Sequence, residues 1–207
     1  MIEVEVRGKI ESEEFDNILA KLKEKTKFIK EKDRLSFIYF RDKVGFHDVA
    51  EIQDDPVDLK VRITNKKAEL VMKYGRWGAT ENRKEFLFPI ATEQFGEALE
   101  FLKCLDWKHG VLMDTRTYVF EYKDIEFAVV KSGDICYFEA EKLCEKECEA
   151  EQIIKELQEA CKELGLEIYQ EQELIDLLNS ANERQDRLFN MEQDSFEEIK
   201  ERFGEYF

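Results

Sequence analysis

The sequence contains few of the residues and segments that make a chain flexible or membrane-bound. Only 2 prolines and 9 glycines occur among its 207 residues, which leaves little material for flexible linkers or low-complexity segments. No apolar run approaches the roughly 20 residues that a membrane-spanning helix needs. We therefore expect one folded domain with at most an extension, and no membrane partner.

Histidine is scarce and the number of cysteines is odd. The two histidines, His47 and His109, are not paired with a nucleophile in any recognisable pattern, so we expect neither to be catalytic. The five cysteines accompany an acidic N-terminus that is unlike a signal peptide. These features predict reduced thiols and a cytoplasmic location.

Acidic residues outnumber basic residues, and the excess is concentrated near the C-terminus. The net charge is −16, of which −12 falls on residues 145–207. This balance argues against a nucleic-acid partner, although it allows a local basic pocket. We predict a main domain at residues 1–180 and an acidic helical tail at 181–207. Its apolar residues have loosely helical spacing, which predicts weak docking, so a chain without the tail should still fold.

The first ten residues predict a strand with one charged face. Charged and apolar side chains alternate along residues 2–10, and alternating side chains of a strand point to opposite faces. The charged face carries two acids followed by two bases, namely Glu3, Glu5, Arg7 and Lys9. The other face is apolar.

Alternation and turn signals predict eight strands joined mostly by short turns, with helices between and after them. The strands are expected at 2–10, 34–42, 58–64, 68–74, 83–90, 111–121, 124–130 and 135–143. The helices are expected at 13–25, from residue 92 to about 102, and at 146–164, 171–179 and 183–203. This order predicts an α+β fold, an eight-stranded antiparallel β-barrel or tunnel with flanking helices and a C-terminal helical extension.

Charged residues recur on single faces of these strands. The middle strands contribute cations, whereas the first and last strands contribute paired acids. Half-solvated outer faces would explain any one strand. If the charged faces line the barrel, the acids lie beside a ring of Lys and Arg. Such a lining suits a polyanion with a divalent metal, because carboxylates hold hard cations and basic side chains hold phosphate oxygens.

Five short motifs, in order, resemble those of CYTH proteins in the triphosphate tunnel metalloenzyme superfamily. The family's opening E-x-E-x-K strand is matched by Glu3-Val-Glu5-Val-Arg7, with Lys9 two residues further on. The other matches are Leu59-Lys60-Val61-Arg62 to an L-R-I-R-like strand, Leu70-Val71-Met72-Lys73 to an L-T-x-K strand, Arg83-Lys84-Glu85 to an R-x-E strand and Glu139-Ala140-Glu141 to a late E-x-E strand. The resemblance covers residues 1 to about 180.

The resemblance implies a tunnel that binds a triphosphate together with Mg²⁺ or Mn²⁺. Four carboxylates would hold the metal and support catalysis, namely Glu3, Glu5, Glu139 and Glu141. The phosphates would be bound by Arg7, Lys9, Lys60, Arg62, Lys73, Arg83 and Arg116.

Two positions depart from the family pattern. Asp114 stands where the family has a Lys two residues before Arg116, and Ala128 and Val129 stand where it has an Asp. Glu126 shares a strand face with Ala128 and is a candidate replacement, and Glu85 is a further candidate metal ligand. A second metal site depends on such a replacement.

Three functions remain open. The first is metal-dependent hydrolysis of inorganic triphosphate, thiamine triphosphate or a nucleoside triphosphate by phosphoryl transfer to water. The second is cyclisation of ATP to cyclic AMP, as in the adenylyl cyclase branch of the same family, although this chain begins too late for that branch's His-Phe segment. The third is non-catalytic binding of polyphosphate or nucleotide. The sequence leaves the oligomeric state open.

Overall fold

The computed structural model describes residues 2–41, 49–53, 57–146 and 149–207. Within these residues the strands are β1 (Ile2–Lys9), β2 (Lys27–Phe40), β3 (Val57–Thr64), β4 (Lys67–Tyr74), β5 (Thr80–Ile90), β6 (His109–Tyr122), β7 (Ile125–Ser132), β8 (Ile135–Cys144), β9 (Glu167–Ile168) and β10 (Leu188–Asn190). The α-helices are α1 (Phe15–Lys25), α2 (Phe95–Cys104), α3 (Ala150–Leu164), α4 (Glu171–Asn182) and α5 (Phe196–Arg202).

The strands confirm the predicted α+β fold. β1 to β8 hydrogen-bond in the order β6-β2-β3-β4-β5-β1-β8-β7, and pairing of β6 with β7 closes an antiparallel eight-stranded barrel. The short strand β9 adds to β1, and β10 adds to β6. A closed barrel leaves its eight strands without free edges, which is the physical reason to expect closure from so many short antiparallel strands.

The chain divides into two compact units that share the long strands. Unit 1 comprises Met1–Lys32, Gly75–Lys84 and Thr115–Leu174. Unit 2 comprises Asp33–Tyr74, Glu85–Asp114 and Ile175–Phe207. β2, β5 and β6 each contribute one part to either unit.

The core of unit 1 lies between the apolar faces of its strands and the helices α1 and α3. Val4 and Val6 of β1 are fully buried in this core, on the face opposite the charged residues. On α3, Ile153, Leu157 and Leu164 recur near helical spacing and are buried, and each such side chain contributes about 1.5–3 kcal/mol of transfer free energy. Two helices therefore cover one face of β1 and leave its charged face turned away from them.

A glycine lets β1 pass close to its neighbours in unit 1. A Cβ atom on Gly8 would lie 2.1 Å from both the carbonyl oxygen of Glu167 and a ring carbon of Phe138. Gly8 pairs with Ile168 of β9 on one side and with Phe138 of β8 on the other. A larger residue here would push β1 away from β8, which carries the late acid pair.

The core of unit 2 is an aromatic cluster. Phe37 of β2 makes edge-to-face contacts with Phe95 of α2 and Phe189 of β10, both at a centroid distance of 5.4 Å. Ile199 of α5 is also buried in this core. Edge-to-face aromatic pairs contribute about 0.5–1.5 kcal/mol beyond their buried area. The C-terminal segment is thus packed into unit 2.

The single helix predicted at 183–203 is wrong. The segment instead forms a 3₁₀ turn at Gln185–Arg187, then β10, then α5. The backbone N–H of Asn190 donates to Asp194 at 2.6 Å, which folds the chain into a turn. Ser195 then starts α5 with a capping box, because its side chain accepts from the backbone of Glu198. Unit 2 includes all residues from Ile175 onward, and the division into a domain at 1–180 and a tail at 181–207 stays a prediction.

In the described part of the chain, no helix combines the length and apolar character needed to cross a membrane.

Candidate functional site

Three carboxylates from two neighbouring strands meet on the charged face of unit 1. Glu3 and Glu5 of β1 and Glu141 of β8 each place one carboxylate oxygen within 4.8 Å of the other two. The strand register explains this, because Glu5 pairs with Glu141, and Glu3 lies two residues earlier on the same face. Glu3 is 5% exposed and Glu5 is 1% exposed, so the half-solvated interpretation does not apply to them.

The spacing of these oxygens fits a small divalent cation. Mg²⁺ binds oxygen ligands at about 2.0–2.1 Å, so ligands on opposite sides of the ion lie about 4 Å apart. Three oxygens within 4.8 Å of one another can become ligands of one such ion if their side chains move closer together. Carboxylate oxygens are also the donors that hard cations such as Mg²⁺ and Mn²⁺ prefer.

Arg7 lies beside this carboxylate cluster and contacts a carboxylate through each of its three guanidinium nitrogens. Nε lies 3.4 Å from Glu139, Nη1 lies 2.9 Å from Glu81, and Nη2 forms an ion pair with Glu5 at 2.7 Å. Burial lowers the pKa of Arg7, but attraction from Glu5, Glu81 and Glu139 outweighs burial and holds this pKa well above its usual value. Arg7 is therefore a permanent cation within the cluster.

Glu81 is a site residue that the sequence analysis missed. Its side chain is 1% exposed, and it accepts five N–H groups. These are Nη1 and Nη2 of Arg7 at 2.9 and 3.1 Å, Nε and Nη2 of Arg83 at 2.9 and 2.6 Å, and the backbone N–H of Gly78 at 3.1 Å. A carboxylate with this many donors has little capacity left for a metal. Glu81 instead fixes the positions of two arginines.

The other predicted metal ligands lie further from the cluster of three. Glu139 pairs across the strands with Arg7 and contacts it. Glu126 pairs with Glu141 and so shares its face, but its carboxylate contacts Lys32 at 3.3 Å. Ala128 pairs with Glu139 and lies on the same face. The residue that stands near the family's Asp is therefore on the acidic face but uncharged. Glu85 belongs to unit 2, and the cluster of three belongs to unit 1.

The predicted phosphate ligands of unit 1 have different surroundings. Arg83 is 2% exposed and pairs with Glu3 across the strands, so it lies on the acidic face. Lys9 is on the same face of β1, but it is half-exposed and forms an ion pair with Glu11. Arg116 is not brought to the acidic face. It shares a face with Tyr118, which packs against the core of unit 1, and its exposed side chain contacts Glu31.

The β6 face that continues the acidic face carries no charged side chain before Glu121, which pairs with Glu126. Alternation places Thr115, Thr117 and Val119 on it, and all three are buried. Asp114 lies on the other face, with Arg116, and forms an ion pair with Arg187 at 3.1 Å. This part of β6 therefore departs from the family pattern in orientation as well as in charge. Asp114 and Arg116 stand at the K-x-R positions, and both lie on the side of the strand opposite the acidic face.

The predicted phosphate ligands of unit 2 share one face of β3 and β4. Lys60 and Arg62 alternate with Leu59, Val61 and Ile63, which are buried in the core of unit 2. Asp58 pairs across the strands with Lys73, so these residues lie on the same side. Lys60 contacts Asp58 at 3.0 Å and Arg62 contacts Glu69 at 2.8 Å. These cations form a mixed-charge face in which Lys73 is 9% exposed.

No protein-family profile and no curated protein sequence matches this chain.

Solved structures share its fold at low sequence identity. The PH1819 protein from Pyrococcus horikoshii OT3 has a TM-score of 0.69 and 21% identity, over 86% of this chain and 99% of that chain. An adenylate cyclase candidate from Vibrio parahaemolyticus has a TM-score of 0.60 and 13% identity, over 81% and 90%. A chain of the Schizosaccharomyces pombe Mediator head module has a TM-score of 0.56 and 9% identity, over 78% and 95%.

These likenesses establish the fold. The eight-stranded barrel that the resemblance implies is confirmed, since adenylate cyclase candidates from Vibrio parahaemolyticus and Bacillus halodurans share this fold. A fold shared with part of a Mediator complex does not by itself define an activity. The function must therefore be argued from the site.

Proposed function

We propose that this protein is a metal-dependent triphosphatase that hydrolyses inorganic triphosphate, thiamine triphosphate or a nucleoside triphosphate. The main support is the cluster of Glu3, Glu5 and Glu141, whose oxygens lie within 4.8 Å of one another. Two of these carboxylates are almost fully buried. Close buried carboxylates repel one another and lose hydration, and such arrangements are concentrated at functional sites.

In this proposal Glu3, Glu5 and Glu141 bind Mg²⁺ or Mn²⁺, and Glu139 joins them when its contact with Arg7 is released. When bound, the ion supplies positive charge for the phosphate oxygens and lowers the pKa of coordinated water. Arg83 and Arg7 add fixed positive charge beside the carboxylates. Lys60, Arg62 and Lys73 are assigned to the phosphate groups from the strand pattern and the resemblance alone.

Catalysis would depend mainly on positioning and charge. Phosphoryl transfer requires an in-line nucleophile and neutralised oxygens, and it needs little covalent participation by the protein. The carboxylates would orient water, and the buried arginines would hold the oxygens of the transferred group. The fixed geometry around Glu81 favours this role, because preorganised charges need no rearrangement during the reaction.

Cyclisation of ATP is a second candidate, and the structural neighbour from Vibrio parahaemolyticus favours it. Hydrolysis releases orthophosphate together with the remaining diphosphate, which is pyrophosphate itself when the substrate is tripolyphosphate. Cyclisation of ATP releases cyclic AMP and pyrophosphate without orthophosphate. Non-catalytic binding is a third candidate, favoured by the uncharged β6 face at Thr115 and Thr117. That face offers fewer charges to a transition state than the resemblance led us to expect.

Product analysis distinguishes the three candidates. The protein is incubated with tripolyphosphate, thiamine triphosphate or ATP in Mg²⁺ or Mn²⁺, and orthophosphate, pyrophosphate and cyclic AMP are measured. We expect metal-dependent orthophosphate release without cyclic AMP, and loss of this release in Glu141→Gln. Cyclic AMP with pyrophosphate would replace the proposal by the cyclase function. Tight binding of these compounds without any product would replace it by the binding function.

A further inference from the structure

The contacts of Arg7 differ in quality. Arg7 donates two hydrogen bonds to Glu81, at 2.9 and 3.1 Å, and a third to the carbonyl oxygen of Gly78 at 2.8 Å. Its contact with Glu139 is longer, at 3.4 Å. Its 2.7 Å approach to Glu5 is an ion pair rather than a well-aligned hydrogen bond. Arg7 is thus anchored by hydrogen bonds to Glu81 and Gly78, while Coulomb attraction holds it close to Glu5 and, at a longer distance, to Glu139.

Two of the carboxylates that Arg7 contacts, Glu5 and Glu139, are predicted metal ligands. Glu5 belongs to the cluster with Glu3 and Glu141, and Glu139 lies across the strands from Arg7 itself. Charges within a few ångströms in a buried site interact much more strongly than charges in water. A cation in contact with Glu5 therefore lowers the affinity of that carboxylate for any second cation.

We propose that Arg7 is a built-in counter-ion of the carboxylate cluster, anchored by Glu81, and that it competes with the divalent metal for Glu5 and Glu139. This inference concerns the regulation of the metal site and rests on the proposed function. The guanidinium neutralises part of the acidic charge and so stabilises the fold. It must release Glu5 and Glu139 before both carboxylates can bind a metal. The anchor at Glu81 keeps Arg7 beside the site, where its freed N–H groups can turn to phosphate oxygens.

The proposal makes the affinity for metal depend on the charge of Arg7. Removing that charge ends the contacts of Arg7 with Glu5 and Glu139 and should strengthen metal binding. Arg7 is itself a predicted phosphate ligand, so the effect is measured on the metal alone. A residue that only supported the fold would not have this effect. Removing the charge also leaves buried carboxylates unpaired, so the variant should melt at a lower temperature without metal and gain more from metal.

Calorimetric titration of Mn²⁺ alone, with no phosphate compound, tests the proposal. The full-length chain is compared with Arg7→Met and Arg7→Gln, and circular dichroism verifies that each variant is folded. The Gln variant retains an amide that can donate to Glu81, so it is the variant to use if Arg7→Met does not fold. Lys142→Met is the matched control. Lys142 is adjacent to Glu141 in the sequence, but it contacts Glu156 on α3.

We expect the dissociation constant for Mn²⁺ to fall at least tenfold in the Arg7 variants and to stay unchanged in Lys142→Met. Equal affinity in the wild type and the Arg7 variants would overturn the competition while leaving the metal site in place. An equal gain in Lys142→Met would also overturn it, because the effect would then be one of overall charge. Absence of Mn²⁺ binding from every variant would instead contradict the proposed function.

Discussion

At the scale of single residues, the site is a group of buried charged side chains. A charge in such a place is stable only with ion-pair or hydrogen-bond partners. Glu81 satisfies two buried arginines at once, and its side chain is almost inaccessible. In contrast, Glu3, Glu5 and Glu141 approach one another. The site thus contains one carboxylate on β5 that stabilises the fold and three on β1 and β8 that repel one another.

Replacing Glu81 should destabilise the protein strongly. In Glu81→Gln, the amide group would face N–H donors of Arg7 and Arg83, and two buried guanidinium groups would lose their shared counter-ion. We expect a loss of roughly 3–5 kcal/mol in the free energy of unfolding, the usual cost of breaking a buried ion pair. Urea-induced unfolding measures it. Glu163→Gln, which removes an exposed partner of Lys123, should unfold like the wild type. A similar midpoint for both variants would contradict the anchoring role of Glu81.

The sequence predicts most of the acidic face but not Glu81, which holds Arg7 and Arg83 in place. Alternation placed Glu3, Glu5 and Glu141 on common strand faces, and register then brought them together. Glu81 lies outside the predicted strand, which begins only at residue 83, whereas β5 begins at Thr80. The alternation of Glu81, Arg83 and Glu85 was the available signal. The face of Arg116 could not be predicted, because an aromatic neighbour such as Tyr118 fits either side of a strand.

At the scale of secondary-structure elements, β10 and α5 complete the core of unit 2. Phe189 is 2% exposed and contacts Phe37 and Tyr39 edge-to-face. Phe189→Ala should cost about 3–5 kcal/mol, as truncations of buried aromatic residues do. The structure also changes our expectation for deletion of residues 181–207, which should now expose the aromatic core and prevent stable folding.

The contribution of β10 and α5 to stability is measured by chemical denaturation of Phe189→Ala and by the solubility of the truncated chain. Leu143→Ala is a suitable control, because Leu143 is 54% exposed. A truncated chain that unfolds cooperatively at the wild-type midpoint would show that the C-terminal segment is dispensable, as the sequence had suggested.

The capping box of α5 should make part of the stability depend on pH. The backbone N–H and then the hydroxyl of Ser195 hydrogen-bond to Glu198 and hold the pKa of Glu198 below its ordinary value of 4.5. A lowered folded-state pKa gives stability that is present above the unfolded-state pKa and is lost as the pH falls through the folded-state value. Glu198→Gln should therefore lower the melting temperature slightly at pH 7, and the difference should shrink below pH 4. A constant difference at both pH values would exclude this linkage.

The predicted continuous C-terminal helix shows why such segments are difficult to read. Its apolar residues had only loosely helical spacing, and the decisive interactions are local side-chain bonds. Asn190 and Asp194 form a turn and Ser195 restarts the helix, whereas Phe189 becomes a strand residue by pairing with Gly110. Residues that favour turns and caps were present, but tertiary packing decided between a helix and a strand.

At the scale of the whole molecule, the proposed function predicts selectivity for a long anion. Arg7 and Arg83, with a divalent metal at the carboxylate cluster, carry more positive charge than one phosphate group can engage. We expect tripolyphosphate to bind at least tenfold more tightly than diphosphate in the presence of Mn²⁺. Calorimetry with both anions gives the comparison, and equal affinity would contradict a site for several phosphate groups.

The central claim, that the carboxylate cluster binds a divalent metal, is tested most directly by thermal melting with and without Mn²⁺. At about 100 times the dissociation constant, Mn²⁺ should raise the melting temperature of the wild type by about 5–10 °C. Glu5→Gln and Glu141→Gln should lose most of this shift. Without Mn²⁺, the melting temperature of Glu141→Gln should equal or slightly exceed that of the wild type, because one repelling charge is gone. Glu156→Gln, on α3, should keep the full shift. An undiminished Mn²⁺ shift in both Glu5→Gln and Glu141→Gln would show that these carboxylates are not the metal site.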